Sequence, residues 1–335
     1  MNPSPIFIVG APRSGTSLLR QMLNRHPGIA ICDETHFFRF LYQKRRRKAF
    51  GDLGDLENRR RLVTEYVSLR FTQQLGLDRE KLTERLLAEG VSYPAMFSAV
   101  MKCFAESHGK QRCGEKTPNH ALVAETLCDW YPNAAVLHLV RDPRDVVASL
   151  LRIPFGWSSA VVNARTWLGL NRAARRSSHR PGYLEVRYET LVTQPEEELA
   201  RICRFIGEEF IPCMLRPEQT SPMHPGEQDR YHAPVTTSRL GAWRSELTQP
   251  QAAQVEWVVG PYLEAFGYTR EAPRASLATI LGGVSLAAVA VTGRTLGRMP
   301  AHCYYWLAPK KLAKFEYWAR RKTLTSEQGS KTRSR

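Results

Sequence analysis

Short apolar runs that stop at glycine or arginine punctuate this chain, and each is followed by a stretch of helical periodicity. The run Ile6–Gly10 leads into Pro12 and Gly15 and then a helix-like segment, Thr16–Asn24. A second run at 134–140 stops at Arg141-Asp142-Pro143 before the helical 146–152, and a third at 183–186 precedes Arg187-Tyr188-Glu189 and an amphipathic helix, Pro195–Ile206. Ile29–Cys32 reads as one more strand. Runs apolar on both faces need cover on both sides. The pattern therefore predicts an α/β fold, a P-loop-like parallel sheet flanked by helices, with its ligand site beyond the carboxyl ends of the strands. Both Arg13 and Arg141 follow such ends.

The segment 37–113 is rich in Leu, Glu, Arg and Lys and reads as a helical insert over the sheet, shaping an acceptor site. Its run Lys44-Arg-Arg-Arg-Lys48 reads as a solvated helix face. Residues 212–234, rich in Pro, His, Gln and Thr, read as a surface loop. Composition changes near Glu271, which divides the chain into a catalytic-type domain, 1–271, and a tail, 272–335.

At 335 residues, with 24% charged and 43% hydrophobic residues, the chain has the make-up of an enzyme-sized folded protein. Charge changes that picture. The net charge is +16, of which +10 falls on 272–335 and +6 on 1–271. A basic balance points to an anionic partner: nucleic acid, an anionic membrane surface, or a ligand bearing phosphate or sulfate. The seven cysteines contain no C-x-x-C pair, so neither a disulfide framework nor a metal site is expected, and a reducing cytoplasm fits. No basic segment with an apolar run precedes Ile6, so no signal peptide is expected.

Gly10-Ala-Pro-Arg-Ser-Gly15-Thr-Ser has the outline of a phosphate loop. Backbone N–H groups at a helix N-terminus, together with the helix dipole, favour a bound anion. The metal-nucleotide version needs Lys after the second glycine. Thr16 stands there instead, and the cation of the loop is Arg13. The loop therefore favours an anion site without metal over a nucleotide kinase or hydrolase.

The segment Pro12-Arg-Ser-Gly-Thr-Ser-Leu-Leu-Arg20 resembles the 5′-phosphosulfate loop of sulfotransferases that use 3′-phosphoadenosine-5′-phosphosulfate (PAPS). His26-Pro27 and Asp33-Glu34-Thr35 resemble the protein-tyrosine sulfotransferase branch and its bacterial relatives. Two further blocks agree in order. Leu139-Val-Arg-Asp-Pro-Arg-Asp-Val-Val-Ala-Ser149 resembles the 3′-phosphate motif, and Arg187-Tyr-Glu-Thr-Leu191 with Pro195 and Phe205-Ile-Gly207 resembles a third family segment. The likeness covers about residues 5–270.

The resemblance implies PAPS as co-substrate and sulfuryl transfer to a hydroxyl or amine. It assigns Arg13, Ser14, Gly15, Thr16 and Ser17 to the 5′ end of the nucleotide and Arg141 with Ser149 to its 3′-phosphate. Ser238 and Arg239, in Thr237-Ser-Arg-Leu-Gly-Ala-Trp243, resemble a closing nucleotide loop. Tyr188 and Trp243 read equally as core or as adenine contacts. Arg144 reads as a partner of its neighbouring aspartates. Glu34 corresponds to the family's catalytic base, with His36 as the alternative, and Lys116 to the cation at the leaving oxygen, with Arg13 able to share that task. Asp33, next to Glu34 at a strand end, is expected to point the opposite way.

From Ala275 to Gly293 no residue is charged. Nineteen residues are barely enough to cross a bilayer as a helix. A span would put the basic end and the domain on opposite sides, against the positive-inside tendency. Membrane-surface association through 272–335, on the cytoplasmic face, is the favoured reading; packing on the domain or disorder, and a span, are the alternatives. A non-catalytic lipid or nucleic-acid binder remains the competing class, although +6 on 1–271 does not mark a specific nucleic-acid protein. No motif identifies the acceptor.

Overall fold

A computed structural model describes residues 4–153, 156–219 and 235–296. Five strands, β1 (Ile6–Gly10), β2 (Ile29–Cys32), β3 (Arg112–Lys116), β4 (Ala135–Val140) and β5 (Tyr183–Arg187), form one parallel sheet in the order β2-β3-β1-β4-β5. β1 lies at its centre, paired with β3 through Ile6↔Gly114 and with β4 through Ile6↔Ala135. Since all strands are parallel, all five carboxyl ends share one edge.

Alternation along β1 explains the two layers. Ile6 and Ile8 enter the cluster that holds Leu19, Leu23, Leu199 and Ile202, from helices Thr16–Asn24 and Pro195–Ile206. Phe7 and Val9 face the larger cluster with Phe37, Phe97, Val147 and Trp167. All five residues of β1 are buried, as an apolar run covered on both faces must be.

The predicted helical insert is present as six helices between Phe37 and Ser107, the longest being Tyr93–Ser107, which packs on β2 and β3. It stops short of the expected limit, because Arg112 and Cys113 begin β3. That strand was not visible as an apolar run: Arg112-Cys-Gly-Glu-Lys116 carries three charges, paired with Glu208, with Thr35, Thr117 and His120, and with Asp33 and Glu34 in turn. Lys44–Phe50 is the anticipated helix, with Arg46 paired to Glu65 and Arg47 stacked over Tyr42. The loop expected at 212–234 opens with two short 3-10 turns, Pro212–Leu215 and Pro217–Gln219, and 220–234 lie outside the described residues.

Of the tail, the described part contains a helix, Leu277–Leu296, that packs on helices Ala160–Arg175 and Gln249–Val259. No described helix is long and apolar enough to cross a membrane. The basic aromatic stretch beyond 296 lies outside the described residues.

Candidate active site

The carboxyl edge gathers the predicted residues. After β1 the chain turns through Ala11–Gly15 into the helix Thr16–Asn24. Two residues there take left-handed backbone, Arg13 at φ 73° and Gly15 at φ 97°. Gly15 is required twice over, since a Cβ would also lie 2.4 Å from the Tyr188 ring. The first-turn N–H groups of the helix have no intrahelical acceptor, and the fully buried Ser14 Oγ has no partner among the described residues. A loop of open donors over a buried, unsatisfied hydroxyl fits an oxyanion.

Next to it, the ends of β2 and β3 bring carboxylates and cations together. Lys116, 1% exposed, sets its ammonium 3.1 Å from Glu34 Oε1 and 2.5 Å from Asp33 Oδ1. His36 Nε2 lies 3.1 Å from Glu34 Oε2, and Arg20 reaches to 4.0 Å from Asp33. The expectation that Asp33 and Glu34 diverge fails here. Strand alternation stops at Cys32, and residues 33–36 are irregular, so both carboxylates turn to one ammonium. Desolvation would raise the Glu34 pKa, but the Lys116 charge and the His36 hydrogen bond overcome it and hold it down to about 2.

One residue that sequence reasoning missed explains this turn. Glu115, 1% exposed, accepts hydrogen bonds from the Thr35 backbone N–H (3.1 Å) and hydroxyl (2.8 Å), from the Thr117 hydroxyl, and at Oε2 from His120 Nδ1 (3.0 Å). These partners, His120 foremost, outweigh desolvation and lower its pKa. Glu115 thus ties the Asp33–His36 turn to β3. The available signal was a buried-strand neighbour of Lys116 with the wrong polarity for a core.

At the other end, after β4, Arg141 donates to the Arg13 carbonyl (3.3 Å) and the Arg239 carbonyl (2.6 Å), and stacks 4.2 Å over the Tyr188 ring. Its buried Nε has no partner among the described residues. Ser149, one side of the helix Pro143–Leu151, accepts from Arg13 Nε at 3.0 Å. Arg13 thereby reaches from the loop to the motif after β4, so the two expected anion groups meet. Asp145, one of the two aspartates read from the sequence as partners of Arg141 and Arg144, sits 3.5 Å from Arg141 and accepts from the backbone N–H of Gly241 and of Trp243, each at 3.0 Å. Burial pushes its pKa up.

The remaining predicted residues divide. Tyr188 is buried between the loop and Arg141, on the site's floor. Ser238 is exposed near the crevice loop, with its N–H on Thr236, and the Arg239 guanidinium is held by Glu246 at 2.8 Å, leaving its carbonyl, not its charge, toward Arg141. Trp243 is core, flanked by Arg144 and Arg244. Arg144 pairs with Asp142 as read from the sequence, and also with Glu256, 112 residues away. Among the described residues no group of His, Cys, Asp or Glu is arranged to hold a metal.

Comparison with known proteins agrees with this arrangement. The model of the family described as "Sulfotransferase family" matches residues 5–212. Among curated proteins, nodulation protein NoeE of Sinorhizobium fredii is 27% identical over 84% of this chain and 70% of its own length. Protein-tyrosine sulfotransferase A of Caenorhabditis elegans is 26% identical over 78% of this chain and 67% of its own. The omega-hydroxy-beta-dihydromenaquinone-9 sulfotransferase Stf3 of Mycobacterium tuberculosis is 26% identical over 83% and 79%. Among solved structures, the sulfotransferase domain of the Synechococcus PCC 7002 olefin synthase superposes with TM-score 0.55 at 24% identity, covering 81% of this chain and 97% of that one. That likeness is one of fold.

Proposed function

Because the chain belongs to the sulfotransferase family, we propose that it transfers a sulfuryl group from PAPS to a hydroxyl or amine, with Glu34 as general base. The kinase and non-catalytic readings give way to family membership. The observation that carries the assignment of roles is the Lys116–Glu34 pair at 3.1 Å beside the Ser14–Thr16 loop.

PAPS has a phosphosulfate and a 3′-phosphate a nucleoside apart. Arg13, the open N–H groups after Gly15, Ser17 and the Ser14 hydroxyl, which has no partner among the described residues, suit the first; Ser149 and the Arg141 Nε, likewise without a partner among the described residues, suit the second, and Arg13 reaches toward it through Ser149. Tyr188 offers a ring between them. In transfer, the bond from sulfur to the bridging phosphate oxygen breaks as a bond to the acceptor oxygen or nitrogen forms. The acceptor proton passes to Glu34, and 3′-phosphoadenosine 5′-phosphate leaves.

Lys116 has two tasks that follow one another. Before reaction it keeps Glu34 ionised. As negative charge grows on the leaving oxygen, the ammonium is drawn there, and Glu34, losing its cation, becomes a stronger base where the proton arrives. Asp33, paired with Arg20 as well as Lys116, keeps the ammonium within reach.

This reading places the domain in the cytoplasm, where PAPS is made; the described cysteines, all free thiols, are in keeping with it. The relatives' names span a protein tyrosine and an omega-hydroxy-beta-dihydromenaquinone-9, so the acceptor is best sought directly. Comparing metabolites and lipids of cells with and without the protein for a sulfate-sized mass difference would identify it.

Glu34→Gln tests the base. Transfer of labelled sulfate from PAPS to acceptors of a cell extract should fall ~10²-fold or more, while calorimetric binding of 3′-phosphoadenosine 5′-phosphate is kept. Undiminished transfer by this variant removes Glu34 from the role.

A further inference from the structure

The helix Leu277–Leu296 has one side on the domain and one side on nothing described. Thr279, Ile280, Gly283, Ala287, Ala290 and Val291 make its covered stripe. Gly283 is buried so closely that a Cβ would lie 2.7 Å from the Gln254 side chain and 2.9 Å from Val161, and Gln254 Nε2 donates to the Thr279 carbonyl at 2.9 Å. The contact is specific. The opposite side presents Leu277 (72% exposed), Leu281 (57%), Val284 (46%), Leu286 (59%) and Val289 (67%), with no charge among them. At about 1.5 Å per residue, Leu277 to Val289 is an apolar ridge about 18 Å long.

We infer that this ridge lies in the surface of an anionic lipid bilayer and docks the enzyme there. An interfacial helix ordinarily needs a polar face of its own. Here the domain supplies it, because the covered stripe is bonded to Gln254 and Val161. Charge identifies the occupant. Immediately after the ridge, residues 297–335 bring ten Lys and Arg against two Asp and Glu, with Tyr304, Tyr305, Trp306, Tyr317 and Trp318 interspersed. That mixture suits an anionic headgroup layer, whereas a second copy would bring the same positive charge, +16 for the whole chain.

The ridge also sits on the active edge of the sheet. The Trp167 indole donates to the Arg141 carbonyl beyond β4, Asn171 Oδ1 accepts from His138 Nε2 within β4, and Arg175 pairs with Glu185 in mid-β5. The helix Ala160–Arg175 therefore runs back from the carboxyl edge, and Val161, under Gly283, lies past that edge. The covered side of the ridge helix is therefore anchored, at Gly283, toward the end of the molecule that carries the crevice.

The test uses the full chain and the double substitution Leu281→Asp with Val289→Asp, both at exposed positions. Vesicles of phosphatidylcholine alone and with phosphatidylglycerol are the probes, in a sedimentation assay at low and high salt. The intact chain should partition onto the anionic vesicles and lose binding as salt rises, and the variant should bind at least ~10-fold more weakly. An unchanged melting temperature and unchanged binding of 3′-phosphoadenosine 5′-phosphate keep folding and the proposed nucleotide site apart from this result. Equal partition of variant and intact chain overturns the inference, as does no partition at all. A dimer in analytical ultracentrifugation that the variant dissolves, without lipid binding, makes the ridge a self-interface instead.

Discussion

At the Glu34 end of the crevice charged side chains are held by one another, whereas at the Arg141 end the key cation is held mostly by backbone and ring. Lys116 is shared by Asp33 and Glu34, and Glu34 by Lys116 and His36. Arg141 rests on the carbonyls of Arg13 and Arg239 and the Tyr188 ring, and its one carboxylate, Asp145, is itself fixed by two backbone N–H groups. Ion pairs between side chains re-form with any charge that enters. Carbonyls and rings do not leave with a ligand. The first end is built to redistribute charge during reaction and the second to present a constant one.

The largest effect should come from the residue that spans both ends. Arg13→Ala removes the loop's cation and the bond to Ser149, and binding of 3′-phosphoadenosine 5′-phosphate should fall below detection by calorimetry, with the melting temperature little changed because Arg13 is exposed. Binding within a factor of two of the intact protein would show that the two ends hold the nucleotide without it. Next comes Glu115→Gln, which keeps an acceptor but weakens the anchor of the Asp33–His36 turn. It should lower kcat ~10-fold while leaving the KM for PAPS in place, since only the Glu34 end is disturbed. A rise in that KM would mean that Glu115 supports both ends alike.

The smallest effect separates the ends by acidity. Beneath Arg141, His138 is buried against Tyr183 and Asn171, and desolvation lowers its pKa to about 4. The unfolded chain then binds the extra proton first. Stability owed to neutral His138 is complete above about pH 6.5 and declines as pH falls toward 4. Glu115, with its pKa lowered below the carboxylate norm, gives up its contribution only at pH values under about 4.5. Melting temperature should therefore slope downward from pH 7 to 5, and His138→Gln should flatten that slope; a slope that survives the substitution assigns it elsewhere.

Much of this was legible in the chain. β1, β2, β4 and β5 are apolar runs that end in turn residues, and the Gly10–Ser17 loop is marked by two glycines whose backbone angles no other residue takes easily. β3 was hidden because its burial rests mainly on partners far away in the chain: Thr35 for Glu115, beside the nearby His120, Asp33 and Glu34 for Lys116, and Glu208 for Arg112. Arg144's nearest partner, Asp142, could be read two residues off, but Glu256 could not. The convergence of Asp33 and Glu34 was misread for a related reason: alternation describes strands, and the chain leaves strand geometry one residue before them.

The close approach of Gly15 to the Tyr188 ring, with Arg141 stacked on that same ring, joins three sequence blocks into a single contact. Exchange of any one block with that of a relative would have to bring the other two along. The blocks lie 126 and 47 residues apart in the chain, yet they should be inherited, and transplanted, as a set.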